Sequence, residues 1–268
     1  MMGSVHLSKN DSKILDAVFD PESSTSLANI EIDPLLPADA HITDATLLPA
    51  LQARELCAIR IIERSTPSVP SSPRSIASSD HEGEDQPHDK DVSYIEALSI
   101  LDNIVKDHPA YASVYNNRAQ LLRWRFGDES TLVQSPPHKS TSTDAIISAL
   151  HDLESTIILA TPRPDSEKVS PTQGRLLAQA WTQRAAIFWQ AAKDLSVPGT
   201  NVVSSQRHDL PWQAWDKTNF EEEASRCFHK AGLYGSEVGK AMSVIANPHA
   251  RLCGNIVREA MKRSQCES

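Results

Sequence analysis

The sequence predicts an all-α fold: a right-handed solenoid of three helix pairs, entered by an N-terminal arm and closed by C-terminal capping helices. Two observations predict it. Residues 91–127 read as helix, proline turn, helix, glycine turn, with Ala97, Leu101, Ile104 and Val105 on one face before Pro109. Tyr115, Ala119, Leu122 and Phe126 share the next face, before Gly127. Apolar residues three and four apart form the stripe of an amphipathic helix, and proline stops a helix because its ring cannot continue the backbone ladder. The same phase then recurs downstream: Ala149, Leu153 and Thr156 precede Pro162, Trp181, Ala185 and Phe188 follow, and Ala224, Phe228 and Ala231 come last. A small residue, a large one four later and a small or apolar one three later is the tetratricopeptide spacing. The small residues let helices approach and the large ones fill the grooves between them.

The elements follow in order. Residues 1–42 form the arm, with a short amphipathic segment at 9–19 (Ile14, Leu15, Val18 and Phe19 apolar) that either frays against the body or docks as a helix. The first helix of pair one spans 43–64. Thr43 or Asp44 caps it, and its stripe is Leu47, Leu48, Leu51, Leu56, Ile59 and Ile62. Pro49 falls early enough to be tolerated. Residues 65–90 are rich in Ser, Pro and charge; so little apolar surface predicts disorder. The partner helix then covers 91–109. Pair two spans 110–162 around an insertion at 128–142, and its second helix starts at Thr143. Pair three spans 172–234 around an insertion at 195–217, with Asn219 as the cap of its second helix. Residues 235–268 supply capping helices at 236–246 and 248–262, whose Ala241, Met242, Ile245, Leu252, Ile256, Val257 and Met261 are expected to cover the last pair, as a solenoid end requires. In the third insertion, Trp212 and Trp215 either pack back on the body or present a sticky contact.

Composition narrows the function classes. A net charge of −9 without a basic run excludes broad nucleic-acid binding. No apolar run reaches the ~18 residues that cross a membrane. Cys57, Cys227, Cys253 and Cys266 lack CxxC spacing, and the charged opening does not read as a signal peptide; reduced thiols in a cytoplasmic or nuclear setting are expected. There is no glycine-rich phosphate loop, GxSxG or HExxH, so the expectation is a non-catalytic protein without metal or cofactor. His249 and Cys253 share a helix face, but two ligands do not make a zinc site.

Tyr115-Asn116-Asn117-Arg118-Ala119-Gln120, Asn247-Pro248-His249-Ala250-Arg251-Leu252-Cys253 and Ile14-Leu15-Asp16-Ala17-Val18-Phe19-Asp20-Pro21, in this order around three repeats, resemble the tetratricopeptide repeat protein 36 family. The three insertions depart from the compact family pattern and mark a divergent member. The resemblance implies a cytosolic three-repeat adaptor linked to chaperones and to the upkeep of tyrosine-catabolic enzymes.

The first helix of each pair lines the inner surface of such a solenoid, where a peptide or helix binds. Counting from the packing residues places Asn116, Asn117, Gln120, Arg123 and Trp124 there from pair two, with Gln179, Thr182 and Gln183 from pair three. Ser113, Ala186, Gln52, Glu55 and Ile59 extend the surface. Amides suit a peptide backbone because each offers donors and an acceptor. The expected partner is a client enzyme or a heat-shock chaperone. A carboxylate clamp of the chaperone-binding kind is disfavoured, since Asn117 matches it but Glu55 stands where a cation is needed. Arg118 and Arg184 recur at equivalent places and are expected to form intra-repeat ion pairs. Thr66, Ser72 and Ser135 each precede a proline and are candidates for proline-directed phosphorylation.

Overall fold

The computed structural model describes residues 30–65, 87–127, 132–134, 141–162, 168–202 and 210–266. The arm segment at 9–19 and the phosphorylation candidates Thr66, Ser72 and Ser135 lie outside the described residues.

Within them the protein is overwhelmingly helical: α1 Leu47–Ser65, α2 Pro87–Asp107, α3 Ala112–Phe126, α4 Thr141–Ala160, α5 Pro171–Asp194, α6 Lys217–Leu233, α7 Glu237–Ala246 and α8 Pro248–Cys266. Helix α2 begins at Pro87, four residues earlier than predicted, with proline in the first turn where its missing N–H costs nothing. Asp44, rather than Thr43, closes the start of α1 by accepting from the amides of Thr46 and Leu47. At α5 the fit to a capping box is complete. Ser170 accepts from the Gln173 amide, Gln173 returns to the Ser170 amide, and Pro171 follows. Asn219 is not the cap of α6. Asp216 is, and Asn219 is the reciprocal partner three residues on.

Helices adjacent in sequence are adjacent in space from α1 to α7, and α3 also meets α5, and α5 meets α7. Alternate helices therefore share a side. The spacing that predicted the helices also predicted their contacts: Ala119, Ala149, Ala185 and Ala224 are all 0% exposed. Leu101, Ile104, Leu153, Thr156, Phe188, Phe228 and Ala231 are buried with them, while Tyr115 and Trp181 are half-buried. One core cluster joins α1, α2 and α3 around Leu51, Leu101 and Val114. A larger one runs from α3 to α7, and a third gathers Ala112, Ala160, Val169 and Leu177.

Two short ladders were not visible in the sequence. β1 (Glu31–Ile32) pairs in parallel with β3 (Lys168–Val169), and β2 (Val133–Gln134) pairs antiparallel with β4 (Asn201–Val202). The first ties the arm to the segment just before α5, and the second joins two of the insertions to each other. Of the two readings of the tryptophans, the structure selects packing: Trp212 is buried, and both rings stand against Phe188, at 6.1 Å and 5.6 Å. They are therefore not a sticky exposed loop.

The C-terminal end corrects another expectation. Ala246 is buried and Met242 packs on the core, but Ala241, Ile245, Leu252, Ile256 and Met261 are exposed. Helix α8 is amphipathic yet touches the body lightly, through ties such as His249 to Glu222 at 3.0 Å and Arg251 to the buried Glu221. An apolar stripe signals a helix, but not that anything covers it.

Candidate functional site

The side shared by α1, α3 and α5 carries two cavities that meet at Gln120. The first, about 520 Å³, is apolar: Ala58, Ile59 and Ile62 of α1, Ala97 and Leu101 of α2, and Leu121 and Trp124 of α3 line it, with Glu63, Asn117 and Gln120 at its edge. The second, about 560 Å³, lies between α3, α5 and the α6–α7 turn, and carries more polar side chains: Gln120, Arg123, Arg175, Gln179, Thr182, Gln183 and Ser236 line it beside Ala178, Tyr234 and Val238. Eight of the thirteen residues placed on the inner surface by counting line one cavity or the other. Gln52, Glu55, Ser113 and Ala186 do not, and neither does Asn116.

The reason is a network of amides. Asn116 is 2% exposed; its carbonyl oxygen accepts from Gln183 Nε2 at 2.8 Å, and its Nδ2 donates to Gln179 Oε1 at 3.4 Å. Arg123 donates to Gln183 Oε1 at 3.5 Å. Asn116 thus fastens α3 to α5 under the groove floor. Gln183 is itself largely buried, so it supports the site more than it presents donors to it. Gln120 and Gln179 are exposed, and Arg123, Trp124 and Thr182 half-exposed.

Glu55 is the largest surprise. It sits 5% exposed between α1 and α3, where its carboxylate accepts from the Tyr111 hydroxyl at 2.6 Å, the Ser113 hydroxyl at 3.2 Å and Asn117 Nδ2 at 2.8 Å. Burial pushes its pKa up, against the three donors that pull it down. A buried carboxylate needs such donors because it has given up its water. Asn117 is consequently occupied, and a clamp that used it for a ligand carboxylate would first have to strip Glu55. Sequence reasoning placed Glu55 on the surface because its position lies on the inward face of α1. The three partners lie 56–62 residues away, with no local signal.

The arginines divide. Arg118 spans three helices, donating to both oxygens of Asp152 in α4 (2.8 and 2.6 Å) and to Asp102 in α2 (2.8 Å). Arg184 has no carboxylate partner among the described residues. Its guanidinium lies 5.2 Å from the Phe188 ring centre, and its Nε is buried without a hydrogen bond. The equivalent of Asp152 is missing from α6, so the expected pair fails there. Burial pushes the nearby Cys227 thiol up to about 12, which keeps it protonated at neutral pH. Among the described residues no three His, Cys, Asp or Glu side chains gather as metal ligands, and no helix is long and apolar enough to cross a membrane.

An Aspergillus fumigatus protein named "L-tyrosine degradation gene cluster protein hmgX" is 33% identical to this chain over 263 residues, which cover 96% of the chain and 93% of the relative. The chain belongs to the family of that protein. Near full-length coverage means that the arm, the insertions and the C-terminal helices fall within the shared length. No family model matches the chain. No solved structure matches it either.

Proposed function

We propose that this protein is a non-catalytic adaptor that binds a peptide or helix in the groove over α1, α3 and α5, and that its work lies with L-tyrosine degradation. The observation that carries the binding role is the pair of cavities joined at Gln120, the second richer in polar side chains than the first, on the side shared by alternate helices. In this reading the helix pairs α1–α2, α3–α4 and α5–α6 are three tetratricopeptide repeats of a right-handed solenoid. Burial of Ala97, Ala119, Ala149, Ala185 and Ala224 at matching positions supports it. The metabolic link comes from the relative, whose name places it in an L-tyrosine degradation gene cluster. The resemblance to the tetratricopeptide repeat protein 36 family points the same way, toward a cytoplasmic, chaperone-associated protein that maintains a tyrosine-catabolic enzyme.

The test is capture of partners from native lysate with wild type beside Gln120→Ala/Arg123→Glu. Asn117 is left intact because its removal would unsatisfy Glu55. Loss with the variant of a partner belonging to tyrosine catabolism or the chaperone machinery supports the proposal. Equal capture by both proteins refutes the groove. A second reading, a subunit of a larger assembly, is favoured by the exposed Val244, Leu252 and Ile256 on α7 and α8. It predicts a partner lost with Leu252→Glu/Ile256→Glu instead.

A further inference from the structure

The charge of the groove runs against the charge of the chain. The protein carries a net −9. Yet the second cavity is lined by Arg123 and Arg175 and by no carboxylate. Beside the first, Lys90 of α2 lies over the Trp124 ring, with Nζ 4.9 Å from its centre. The acids at the edge of the groove have other company. Glu63 borders the apolar cavity, and on its far side it shares a pocket with Arg60 and Arg64. Asp91, next to Lys90, is taken by Arg125. Glu237 follows Ser236 at the rim of the second cavity and pairs with Lys240 at 2.8 Å. Glu55 lies beneath the floor, held by Tyr111, Ser113 and Asn117. Lys90, Arg123 and Arg175, brought together from α2, α3 and α5, therefore leave the groove with a positive face.

Elsewhere Arg118, Arg125 and Arg251 each meet an acid on another helix. Arg175 does not: it is exposed on α5, one turn before Gln179, and pairs with no carboxylate among the described residues. Arg123 meets a neutral oxygen, Gln183 Oε1, at 3.5 Å. A carboxylate arriving from outside would gain charge-assisted bonds to these guanidinium groups and be steered toward them. The apolar cavity lies close by. Gln120 borders both cavities, and Trp124 of the first follows Arg123 of the second in the chain. The two flank α3, so their centres stand about one helix spacing apart, roughly 8–10 Å. An extended chain covers that in about three residues.

We propose, taking the groove as the binding surface, that its partner is a linear segment of another protein bearing a large apolar side chain and, about three residues away, Asp or Glu. The apolar side chain fills the cavity walled by Ile59, Leu121 and Trp124. The carboxylate lies against Arg123 and Arg175. Gln120, exposed between the two, offers its amide to the segment's backbone.

Selection of random twelve-residue peptides on the full chain tests it. Fixing each peptide by its C-terminus leaves side chains as the only source of carboxylates. The binders should be enriched in Asp and Glu roughly two to four residues from Leu, Ile, Phe or Trp. A synthetic binder, followed by fluorescence anisotropy, should lose about tenfold in affinity when its acids become amides, and as much with Arg123→Ala/Arg175→Ala. Its binding should weaken as salt rises. Arg175→Glu alone should also weaken it severalfold; this variant leaves the Arg123–Gln183 contact in place, and circular dichroism reports that it stays helical. A selection that yields no acidic binder overturns the proposal. Binders lost with Ile59→Ser but indifferent to both arginine variants overturn the acidic chemistry and leave the groove standing. Binders indifferent to all three variants remove the groove itself. Self-association of the wild type that Arg175→Glu abolishes, seen by sedimentation, makes the occupant a second copy and overturns the separate partner.

Discussion

Replacing Arg118 by alanine removes a side chain that holds α2, α3 and α4 together by charge. Asp152 is 5% exposed, and its carboxylate accepts two bonds from Arg118, at 2.6 and 2.8 Å. Stripped of that partner it becomes a buried carboxylate with no cation, a change that costs about 3–5 kcal/mol. Asp152→Ala is the milder cut. It leaves Arg118, whose side chain is 23% exposed and still paired with Asp102 at 2.8 Å, so the loss is about 1–3 kcal/mol. At about 2–4 °C per kcal/mol for a chain of this size, Arg118→Ala should lower Tm by roughly 6–20 °C and Asp152→Ala by clearly less. The double variant should cost less than the sum, because the two residues share one interaction. The pH dependence adds a second check. Burial raises the Asp152 pKa above its ordinary 3.8 even with Arg118 present, and removing the cation raises it further. A carboxyl raised in the folded state holds a proton that the unfolded chain has already shed. Its stabilisation is complete below the unfolded value and is lost as pH rises through the folded one. The deficit of Arg118→Ala should therefore shrink as pH falls toward 4. Thermal and urea unfolding followed by circular dichroism at neutral and mildly acidic pH measure both effects. A cost for Asp152→Ala equal to or above that for Arg118→Ala would refute the reasoning, as would a deficit that grows in acid.

Two further predictions follow from the same physics. Gly239 of α7 stands so close to α6 that a Cβ would meet Phe228 O at 2.7 Å and Gly232 N at 2.8 Å; Gly239→Ala must force the helices apart and should cost about 1–3 kcal/mol in urea melts, although alanine is the better helix former. Glu55→Gln should flatten the decline of stability that begins as pH rises above 4.5, the ordinary value of the glutamate, toward the raised value of the folded state; unchanged slopes in pH-dependent melts would show that Glu55 titrates as if exposed.

The helices were legible because each carries an apolar stripe at spacings of three and four, and the sites where they meet were legible because Ala97, Ala119, Ala149, Ala185 and Ala224 recur in phase. Counting along that phase also brought Gln120, Arg123 and Gln179 to the groove. What counting cannot do is decide whether an inward polar residue faces solvent or another helix. Asn116 and Asn117 are neighbours in the chain, yet one fastens to Gln183 and the other to Glu55, and both bonds depend on how far apart α1, α3 and α5 stand. Arg184 shows the converse. It repeats the place of Arg118 without an acid to meet it, so a repeated residue did not carry a repeated interaction. The ladders escaped because two residues are too few for an alternating pattern. The exposed stripe of α8 was misassigned because amphipathicity records a wish for a partner and not its presence.

The parallel pairing of Glu31–Ile32 with Lys168–Val169 joins the front of the chain to its middle, across 137 positions. A row of helices in which each leans only on the next could unzip from its first member, leaving the rest standing. Here the strand ahead of α1 is stitched to the threshold of α5, so α1 and α2 are held at both ends of a closed circuit of contacts. Loosening the front pair frees a loop rather than a tail, and the entropy released is correspondingly smaller. Such a protein should unfold as one unit, and the groove floor between α3 and α5 should keep its shape until the whole molecule gives way.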